Sequence, residues 1–257
     1  MIRQKKSLGQ YFLSDPSIVK RIIDAAHLND KDTVVEIGPG PGVMTGMLAK
    51  RVKRVIAIEI DEDILKKAMD SLSGRSNIEF VLSDALIYDY DSIGTPFKVV
   101  ANIPYYITTP LIFRLLDSKD ILSMTLTLQK EVARRIVASP NNKDYGVLSI
   151  ACQFYTAPSL CLTIPKGAFR PVPKVDSAAV YFEVLKKPSV DVPSKEMFFR
   201  IVRTAFSQRR KMLLNSLKAL GLGQRLREVL DNAGIDPSRR PETLSLDEFA
   251  VIARLLG

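Results

Sequence analysis

Short apolar segments alternate with helical periodicities through the first half of this chain, and that alternation determines the class of fold. Strands buried on both faces of a sheet read as such apolar runs. Strands that alternate with helices require crossover connections, which produce a parallel sheet covered by helices on both faces. We therefore predict a doubly wound, Rossmann-like α/β domain. Its strands are expected near residues 34–37, 55–58, 78–82, 98–101 and 122–128, and its helices near 16–23, 44–48, 64–72, 110–117 and 129–138.

The second half of the chain changes in character. Residues 145–165 contain no charged side chain, but prolines and hydroxyl residues interrupt them, so we reject a membrane span of ~20 apolar residues. Strands are predicted instead near 147–155 and 177–184. After two further prolines the pattern is helical, and Ser245 with Glu248 predicts a capping box for the last helix. We therefore predict two domains, residues 1–185 and a small all-helical domain at 186–257.

The charge balance favours a polyanionic partner. The chain has 37 Lys and Arg against 28 Asp and Glu, a net charge of +9, and each phosphate contact by a basic side chain releases counterions. Residues 186–257 hold 14 Lys and Arg against 8 Asp and Glu, which is most of the surplus. Arg209, Arg210 and Lys211 are consecutive, so a helix would point them in different directions. We expect them to contact phosphates, with a merely solvated helix surface as the alternative.

The chain offers few ligands for a metal. Cys152 and Cys161 are its only cysteines and His27 its only histidine, whereas a zinc site needs about four nitrogen or sulfur ligands at set spacings. No metal is therefore expected. Isolated cysteines with apolar neighbours are usually reduced core residues, and the N-terminus lacks the apolar run of a signal peptide. These observations favour a cytoplasmic protein without membrane attachment.

A glycine-rich turn and two acids predict a nucleotide-like cofactor. The turn GPGPG at 38–42 directly follows the first strand, and glycine lets the backbone approach a ligand closely. Glu59 ends the second strand, where an acid can accept hydrogen bonds from both hydroxyls of a ribose. Asp84 follows the third strand and could accept from an adenine amino group. Together these residues indicate a cofactor that contains adenosine. A dehydrogenase would share the ribose acid, so these residues do not exclude NAD as the cofactor.

The turn after the fourth strand predicts the chemistry. The exocyclic amine of adenine is a poor nucleophile because its lone pair is delocalised into the ring. Acceptors aimed at its hydrogens localise that lone pair, and the Asn102 side-chain carbonyl with a backbone carbonyl of the turn can supply two. Pro104 stiffens the turn because its φ is fixed. Tyr105 offers a face for an unpaired base, which stabilises it by ~1–3 kcal/mol. Methyl transfer to adenine fits this pattern, since it requires orientation more than acid–base groups.

The chain resembles the ribosomal RNA adenine dimethyltransferases in five segments that run nearly from end to end. They are QYFL at 10–13, EIGPG at 36–40, NIPY at 102–105, QKEVA at 129–133 and FRPVPKVDS at 169–177. The resemblance implies a class I methyltransferase domain that transfers methyl groups from S-adenosylmethionine to N6 of two adjacent adenosines. These lie in a 3′-terminal hairpin loop of small-subunit (16S) rRNA. The expected partner is this RNA or a pre-assembled 30S subunit, and the enzyme is expected to act as a monomer during small-subunit biogenesis.

The resemblance also assigns roles to single residues. Asn102, Pro104 and Tyr105 would form the catalytic turn, and Phe169 would stack on the other face of the target adenine. Tyr11 stands where Asn or His is expected most often, so a polar contact to cofactor or substrate would be lost. The segment 129–133 has no role that follows from its chemistry. The residues implied to contact S-adenosylmethionine are Gln10, Tyr11, Leu13, Gly38, Gly40, Glu59, Asp84 and Asn102.

Three alternatives stay open. Methyltransferases that modify large-subunit rRNA and confer macrolide resistance share the glycine loop and the catalytic turn, although residues 205–211 and 215–217 resemble the small-subunit enzymes. A dehydrogenase that binds NAD would share the acid at Glu59. A non-catalytic RNA-binding or assembly factor could retain the scaffold, but intact Asn102 and Tyr105 argue against decay of the site.

Overall fold

The computed structural model describes residues 11–13 and 15–257 of the chain. These residues form two compact units. The α/β unit comprises the described residues up to Ala133 together with Ser159–Val184, and the helical unit comprises Arg134–Pro158 and Leu185–Gly257. The predicted single boundary at 185/186 is therefore wrong for residues 134–158, which pack with the C-terminal helices although the sequence places them inside the first domain.

A seven-stranded sheet lies at the centre of the α/β unit. Its strands have the order β4-β3-β2-β5-β6-β9-β7. The first five strands of this order are parallel, and β9 is antiparallel to β6. A short separate pair joins β1 to β8. The strands are β1 (Phe12–Leu13), β2 (Thr33–Ile37), β3 (Arg54–Glu59), β4 (Ile78–Leu82), β5 (Phe97–Asn102), β6 (Ile121–Gln129), β7 (Thr156–Ile164), β8 (Phe169–Arg170) and β9 (Ser177–Val184).

The predicted doubly wound α/β architecture is confirmed. All five residues of β2 are buried, as expected for a strand covered on both faces. Asp15 caps α1 by accepting a hydrogen bond from the Ser17 amide, and Pro16 occupies the first turn. The helices that alternate with these strands are α1 (Pro16–Asp24), α2 (Val43–Leu48), α3 (Glu62–Ser71), α4 (Thr108–Leu116) and α5 (Lys130–Ile136).

The strand order reverses at β2, which places the binding crevice. The chain proceeds from β2 outward through β3 to β4, and then returns to the other side of β2 as β5. In open α/β sheets, ligands bind beyond the carboxyl ends of the strands at such a switch point. Gly38 follows β2 and Asn102 ends β5, so the predicted cofactor loop and catalytic turn lie side by side at this point.

The helical unit contains one element that the sequence misrepresented. Residues 147–155 were expected to form a strand but form helix α6 (Val147–Tyr155). This helix is buried on most of its surface, so its sequence lacks the polar face that distinguishes a helix from a buried strand. Ser149 supports the helix start by accepting a hydrogen bond from the Gly146 amide. The other helices of this unit are α7 (Lys195–Ser207), α8 (Leu213–Leu217), α9 (Arg225–Asn232) and α10 (Leu246–Leu256).

Aromatic packing forms the core of the helical unit. Phe154, Phe198 and Phe249 are completely buried, with the ring centroids of Phe154 and Phe198 5.0 Å apart. The predicted capping box of α10 is confirmed, because Ser245 and Glu248 each accept a hydrogen bond from the other's amide. Among the described residues, no helix is long and apolar enough to cross a bilayer.

Candidate cofactor and catalytic site

Two adjoining clefts open at the switch point of the sheet. Both are lined by Phe12, Gly38 and Asn102. The first has a volume of about 490 Å³, and its other lining residues are Tyr11, Glu59, Ile60, Ile103, Pro104, Tyr105 and Tyr106. The second has a volume of about 330 Å³, and its other lining residues are Leu13, Val19, Glu36, Pro39, Pro41, Val43 and Met44. The structure therefore brings most of the predicted cofactor and catalytic residues to one place.

The glycine loop is shaped by a close approach to β1. The Gly38 amide donates a hydrogen bond to the Ile58 carbonyl over 2.9 Å, which fixes the loop to β3. Gly40 has a φ of +56°, and a Cβ added there would lie 2.6 Å from the Phe12 ring. Only glycine fits both the backbone conformation and this space. Gly40 thus serves the site indirectly, by letting Phe12 form a wall of both clefts.

Glu59 presents a buried carboxylate to the first cleft. Only 5% of the residue is exposed, and Oε1 accepts hydrogen bonds from the amides of Ile60 and Asp61 over 3.0 and 3.1 Å. Burial raises the pKa of Glu59, whereas these amides partly counteract the rise. The Gly40 amide lowers the pKa as well. An ionised carboxylate has about four acceptor sites, so Glu59 can accept further hydrogen bonds from a ligand, as the predicted ribose contact requires.

Asp84 is the one predicted cofactor acid that lines neither cleft. It is half-buried after β4, and its Oδ1 accepts a hydrogen bond from the Leu86 amide over 2.9 Å. Its charge still reaches the first cleft. The pKa of Tyr106 is raised first by burial and then by the negative charges of Asp84 and Glu59. In this structure Asp84 therefore acts on the edge of the cleft through its negative charge and not by contact.

The Asn102 carboxamide is held in one orientation. Its Nδ2 donates a hydrogen bond to the Tyr11 carbonyl over 2.7 Å. A flipped amide would set two carbonyl oxygens against each other, so this contact fixes which end is nitrogen. The Asn102 oxygen is thereby presented as an acceptor at a residue that lines both clefts. Sequence reasoning identified Asn102 but not the backbone group that orients it.

Tyr105 is held by two contacts beside Asn102. Its hydroxyl lies 2.7 Å from the hydroxyl of Ser177, which is fully buried on β9. Its ring stacks on Tyr11, with centroids 5.3 Å apart and planes inclined by 30°. Burial raises the pKa of the Tyr105 phenol. Ser177 ends the segment 169–177, whose sequence predicts no role for it, and it pairs with Gln129 in the register of β9 against β6.

Pro104 shapes the turn as expected, with one difference. Its φ of −56° is the value that the ring imposes. Its carbonyl accepts a hydrogen bond from the Ile107 amide over 3.2 Å, so it is not wholly free for a substrate. A carbonyl has two lone pairs, and one remains for the predicted second contact to an amine.

Phe169 does not reach either cleft. Its side chain is completely buried in a core cluster that includes Leu13 and Val19, and its backbone pairs with Leu13. A ring with no exposed surface cannot stack on a base, so the prediction that Phe169 covers the target adenine is wrong for this structure. The sequence motif was matched correctly, but nothing in it distinguishes a core ring from a stacking ring. Gln10, also predicted, lies outside the described residues.

Arg209, Arg210 and Lys211 lie in a turn rather than on a helix. Helix α7 ends at Ser207, and the turn closes where the Lys211 amide donates to the Gln208 carbonyl over 2.8 Å. These residues line a shallow depression on the helical unit, with a volume of about 620 Å³. The predicted helical placement is therefore wrong, and their contact with phosphates stays a prediction.

Glu36 is a site residue that sequence reasoning missed. It belongs to the EIGPG segment, lines the second cleft and is only 2% exposed. Its Oε2 has no hydrogen-bond partner among the described residues. Burial, aided by the charge of Glu59 and opposed by the nearby Thr45 hydroxyl, raises the pKa of Glu36 to about 8. With this pKa the carboxyl is mainly protonated at neutral pH, and its unpartnered Oε2 at the cleft is suited to a hydrogen bond with a ligand.

The structure also gives the segment 129–133 a role. Gln129 pairs with Ser177 across β6 and β9, and the Lys130 amide donates to the Asp176 carbonyl over 3.0 Å. The Lys130 ammonium lies 3.7 Å from the Asp176 carboxylate. This segment therefore holds the loop before Ser177, which in turn holds Tyr105.

No cluster of three or more His, Cys, Asp or Glu suitable for a metal occurs in residues 11–13 and 15–257.

Comparisons with known proteins agree with the geometry of the site. A family model described as "Ribosomal RNA adenine dimethylase" matches residues 1–256. "Ribosomal RNA small subunit methyltransferase A" of Moorella thermoacetica is 46% identical over 98% of this chain and 92% of its own length. The protein of the same name from Geobacillus sp. is 44% identical over 98% of this chain and 91% of its own length.

Solved structures agree as well. A dimethyladenosine transferase from Plasmodium falciparum superposes with a TM-score of 0.80 at 26% identity, covering 94% of this chain and 95% of that one. The 23S rRNA methyltransferase ErmE superposes with a TM-score of 0.77 at 29% identity, covering 96% of this chain and 100% of that one.

Proposed function

Because the chain belongs to the ribosomal RNA adenine dimethylase family, we propose that it transfers methyl groups from S-adenosylmethionine to N6 of two adjacent adenosines in 16S rRNA. The adenosines lie in the 3′-terminal hairpin loop, and dimethyladenosines are the products. The observation that carries this proposal is the Asn102 carboxamide. Its nitrogen is held by the Tyr11 carbonyl, which leaves its oxygen to accept a hydrogen bond from a purine amine.

The chain's own residues act mainly by orientation. Asn102 and the second lone pair of the Pro104 carbonyl accept hydrogen bonds from the amine, which localises the nitrogen lone pair for attack. Tyr105 holds the ring of the unpaired base by stacking. Holding the two reacting groups in line accounts for the acceleration without an acid or base of the protein. The alkylated nitrogen is positively charged and acidic, so it releases one proton to water and becomes a neutral methylamine. After the first methylation one N–H remains, so one acceptor suffices for the second.

The clefts fit the cofactor. Bound S-adenosylmethionine supplies an electrophilic methyl group on a sulfonium. The Glu59 carboxylate would accept from the ribose hydroxyls, and Asp84 would attract the adenine amino group. Glu36 Oε2 is buried and has no partner among the described residues, so it is available for a hydrogen bond with the cofactor. Leu13 and Gly38 would complete the walls.

The helical unit is proposed to bind RNA phosphates. Arg209, Arg210 and Lys211 lie together on its concave turn, and this part of the sequence carries most of the surplus positive charge. Hairpin RNA is recognised mainly through its shape and phosphate positions, with unstacked bases read at the site. The α/β unit would then supply catalysis and cofactor binding.

The small subunit is preferred over the large one as the substrate. The relatives that cover nearly the whole chain at 44–46% identity are named for the small subunit, whereas the large-subunit enzyme is 29% identical. The motif at residues 205–211 supports the same choice. The substrate would be the 16S RNA itself or a pre-assembled 30S subunit.

Transfer of labelled methyl groups to unmethylated 30S subunits tests the proposal. Asn102→Ala should lower kcat by about 100-fold or more, the usual loss when one positioned polar group at a reacting atom is removed, while calorimetry shows retained cofactor binding. Asn232→Ala, at the exposed end of α9, is the matched control and should retain full activity. Absence of transfer by the wild type to both unmethylated 30S subunits and unmethylated 16S rRNA would overturn the assignment, and full activity of Asn102→Ala would overturn the role of Asn102.

A further inference from the structure

The ring of Tyr11 covers one face of Tyr105, the residue that is proposed to stack on the target base. Its centroid is 5.3 Å from that of Tyr105, and the two planes are inclined by 30°. A base inserted between two aromatic rings would need them about 7 Å apart, twice the ~3.5 Å contact distance of carbon atoms. There is consequently no space for a base on this face of Tyr105 while Tyr11 remains in place.

Tyr105 is the less mobile partner of this pair. Its hydroxyl is tied to the fully buried Ser177 on β9. Its backbone belongs to the turn 102–105, which is tied to β6 because the Ile103 amide donates a hydrogen bond to the Thr127 carbonyl over 3.1 Å. A movement of the Tyr105 ring would break the phenol contact and disturb the catalytic turn.

Tyr11 can move its ring without losing its backbone contacts. Its carbonyl is held by Asn102, and the next two residues form β1, which pairs with β8. Within residues 11–13 and 15–257 the Tyr11 side chain has no recorded hydrogen bond, and the residue is half-buried. Rotation of the side chain alone would therefore expose the face of Tyr105 and leave the orientation of Asn102 unchanged.

On the basis of the proposed function, we propose that Tyr11 closes the base site by stacking on Tyr105 and is displaced by the entering adenosine. The base exchanges one aromatic contact for another, so only a flat aromatic ligand compensates for the stack that is broken. Tyr11 thus sets the threshold for entry of an unpaired purine and acts as a specificity-determining residue. This role is particular to a chain with an aromatic residue at position 11.

The test is steady-state methylation of unmethylated 30S subunits at saturating cofactor. Tyr11→Ala and Tyr11→Asn remove the ring but keep the backbone carbonyl that holds Asn102. Each should raise kcat/KM for 30S subunits by about two- to tenfold, the factor that corresponds to a stacked pair of ~0.5–1.5 kcal/mol. Asn232→Ala, at the exposed end of α9, is the control with the kcat/KM of the wild type, and Tyr11→Phe, which keeps the stacking ring, should show no gain. Calorimetry of S-adenosylmethionine binding to each variant shows whether a change in kcat/KM comes from altered cofactor affinity.

The direction of the change decides the outcome. A gain in kcat/KM supports displacement, because a purely structural loss only lowers activity. A fall in kcat/KM for Tyr11→Ala and Tyr11→Asn would show that the ring is a wall for the bound base and would overturn the proposal, as would no change. Failure of the proposed function is distinct, since the wild type itself would then not methylate 30S subunits.

Discussion

Gly40→Ala should destabilise the protein through a contact that the sequence alone does not reveal. The added Cβ would lie 2.6 Å from the Phe12 ring, at a φ of +56°. The left-handed conformation costs an L-residue ~1–2 kcal/mol, and forcing a methyl group into occupied space adds ~1–3 kcal/mol. We expect the free energy of unfolding to fall by about 2–5 kcal/mol. Cofactor affinity should fall as well, because Phe12 lines both clefts.

Gly94→Ala is the matched control for Gly40→Ala. Gly94 has a similar φ of +67°, but its nearest neighbour would lie 4.0 Å from the added Cβ, so only the conformational cost of ~1–2 kcal/mol applies. Urea denaturation gives both values, and Phe12→Ala in each background isolates the steric part as a coupling energy. Equal losses for the two alanine variants, or no coupling between Gly40→Ala and Phe12→Ala, would refute the reasoning.

Three further predictions concern a hydrogen bond, a buried acid and a surface charge. Ser177→Ala and Tyr105→Phe remove the same hydroxyl contact of 2.7 Å; each should cost ~1–3 kcal/mol of stability, and the double variant should cost less than their sum in urea denaturation. Glu36 has a pKa of about 8 when folded, above its unfolded value, so the folded state binds the extra proton and wild-type stability should fall as pH rises from about 5 to 8. Glu36→Gln should weaken that dependence, and parallel pH profiles of the two proteins would contradict the assignment. Arg210→Gln should reduce the slope of log RNA affinity against log salt by about 1 if Arg210 contacts a phosphate, and an unchanged slope would refute that contact.

Much of the α/β unit was predictable because its local signals agree with one another. The apolar run of β2, the glycine turn after it and the acid at the end of β3 each follow from a parallel strand that ends at a ligand site. Parallel strands carry their carboxyl ends to one edge, so the sequence alone predicts that Gly38, Glu59 and Asn102 lie close together. The local signals of these strands and turns agree with the fold that forms, which is why they could be predicted.

The remaining features depend on contacts between distant segments. The hydrogen bond from Asn102 to Tyr11 spans 91 positions, and that between Tyr105 and Ser177 spans 72. No local pattern encodes such partners. The motif around Phe169 predicts stacking on the target base, because a sequence motif does not show whether the side chain is buried. The sequence of residues 147–155 predicts a strand, because a segment buried on most sides loses the periodicity that separates helix from strand.

The position of the methyl group on the product tests the central claim most directly. Wild-type protein, labelled S-adenosylmethionine and unmethylated 30S subunits would be incubated, and the RNA digested to nucleosides for mass spectrometry and site mapping. The account predicts N6,N6-dimethyladenosine at two adjacent positions of the 3′-terminal hairpin loop of 16S rRNA. Label on a ring nitrogen, on a ribose hydroxyl or on a base other than adenine would contradict the proposal that the Asn102 oxygen receives the adenine amine.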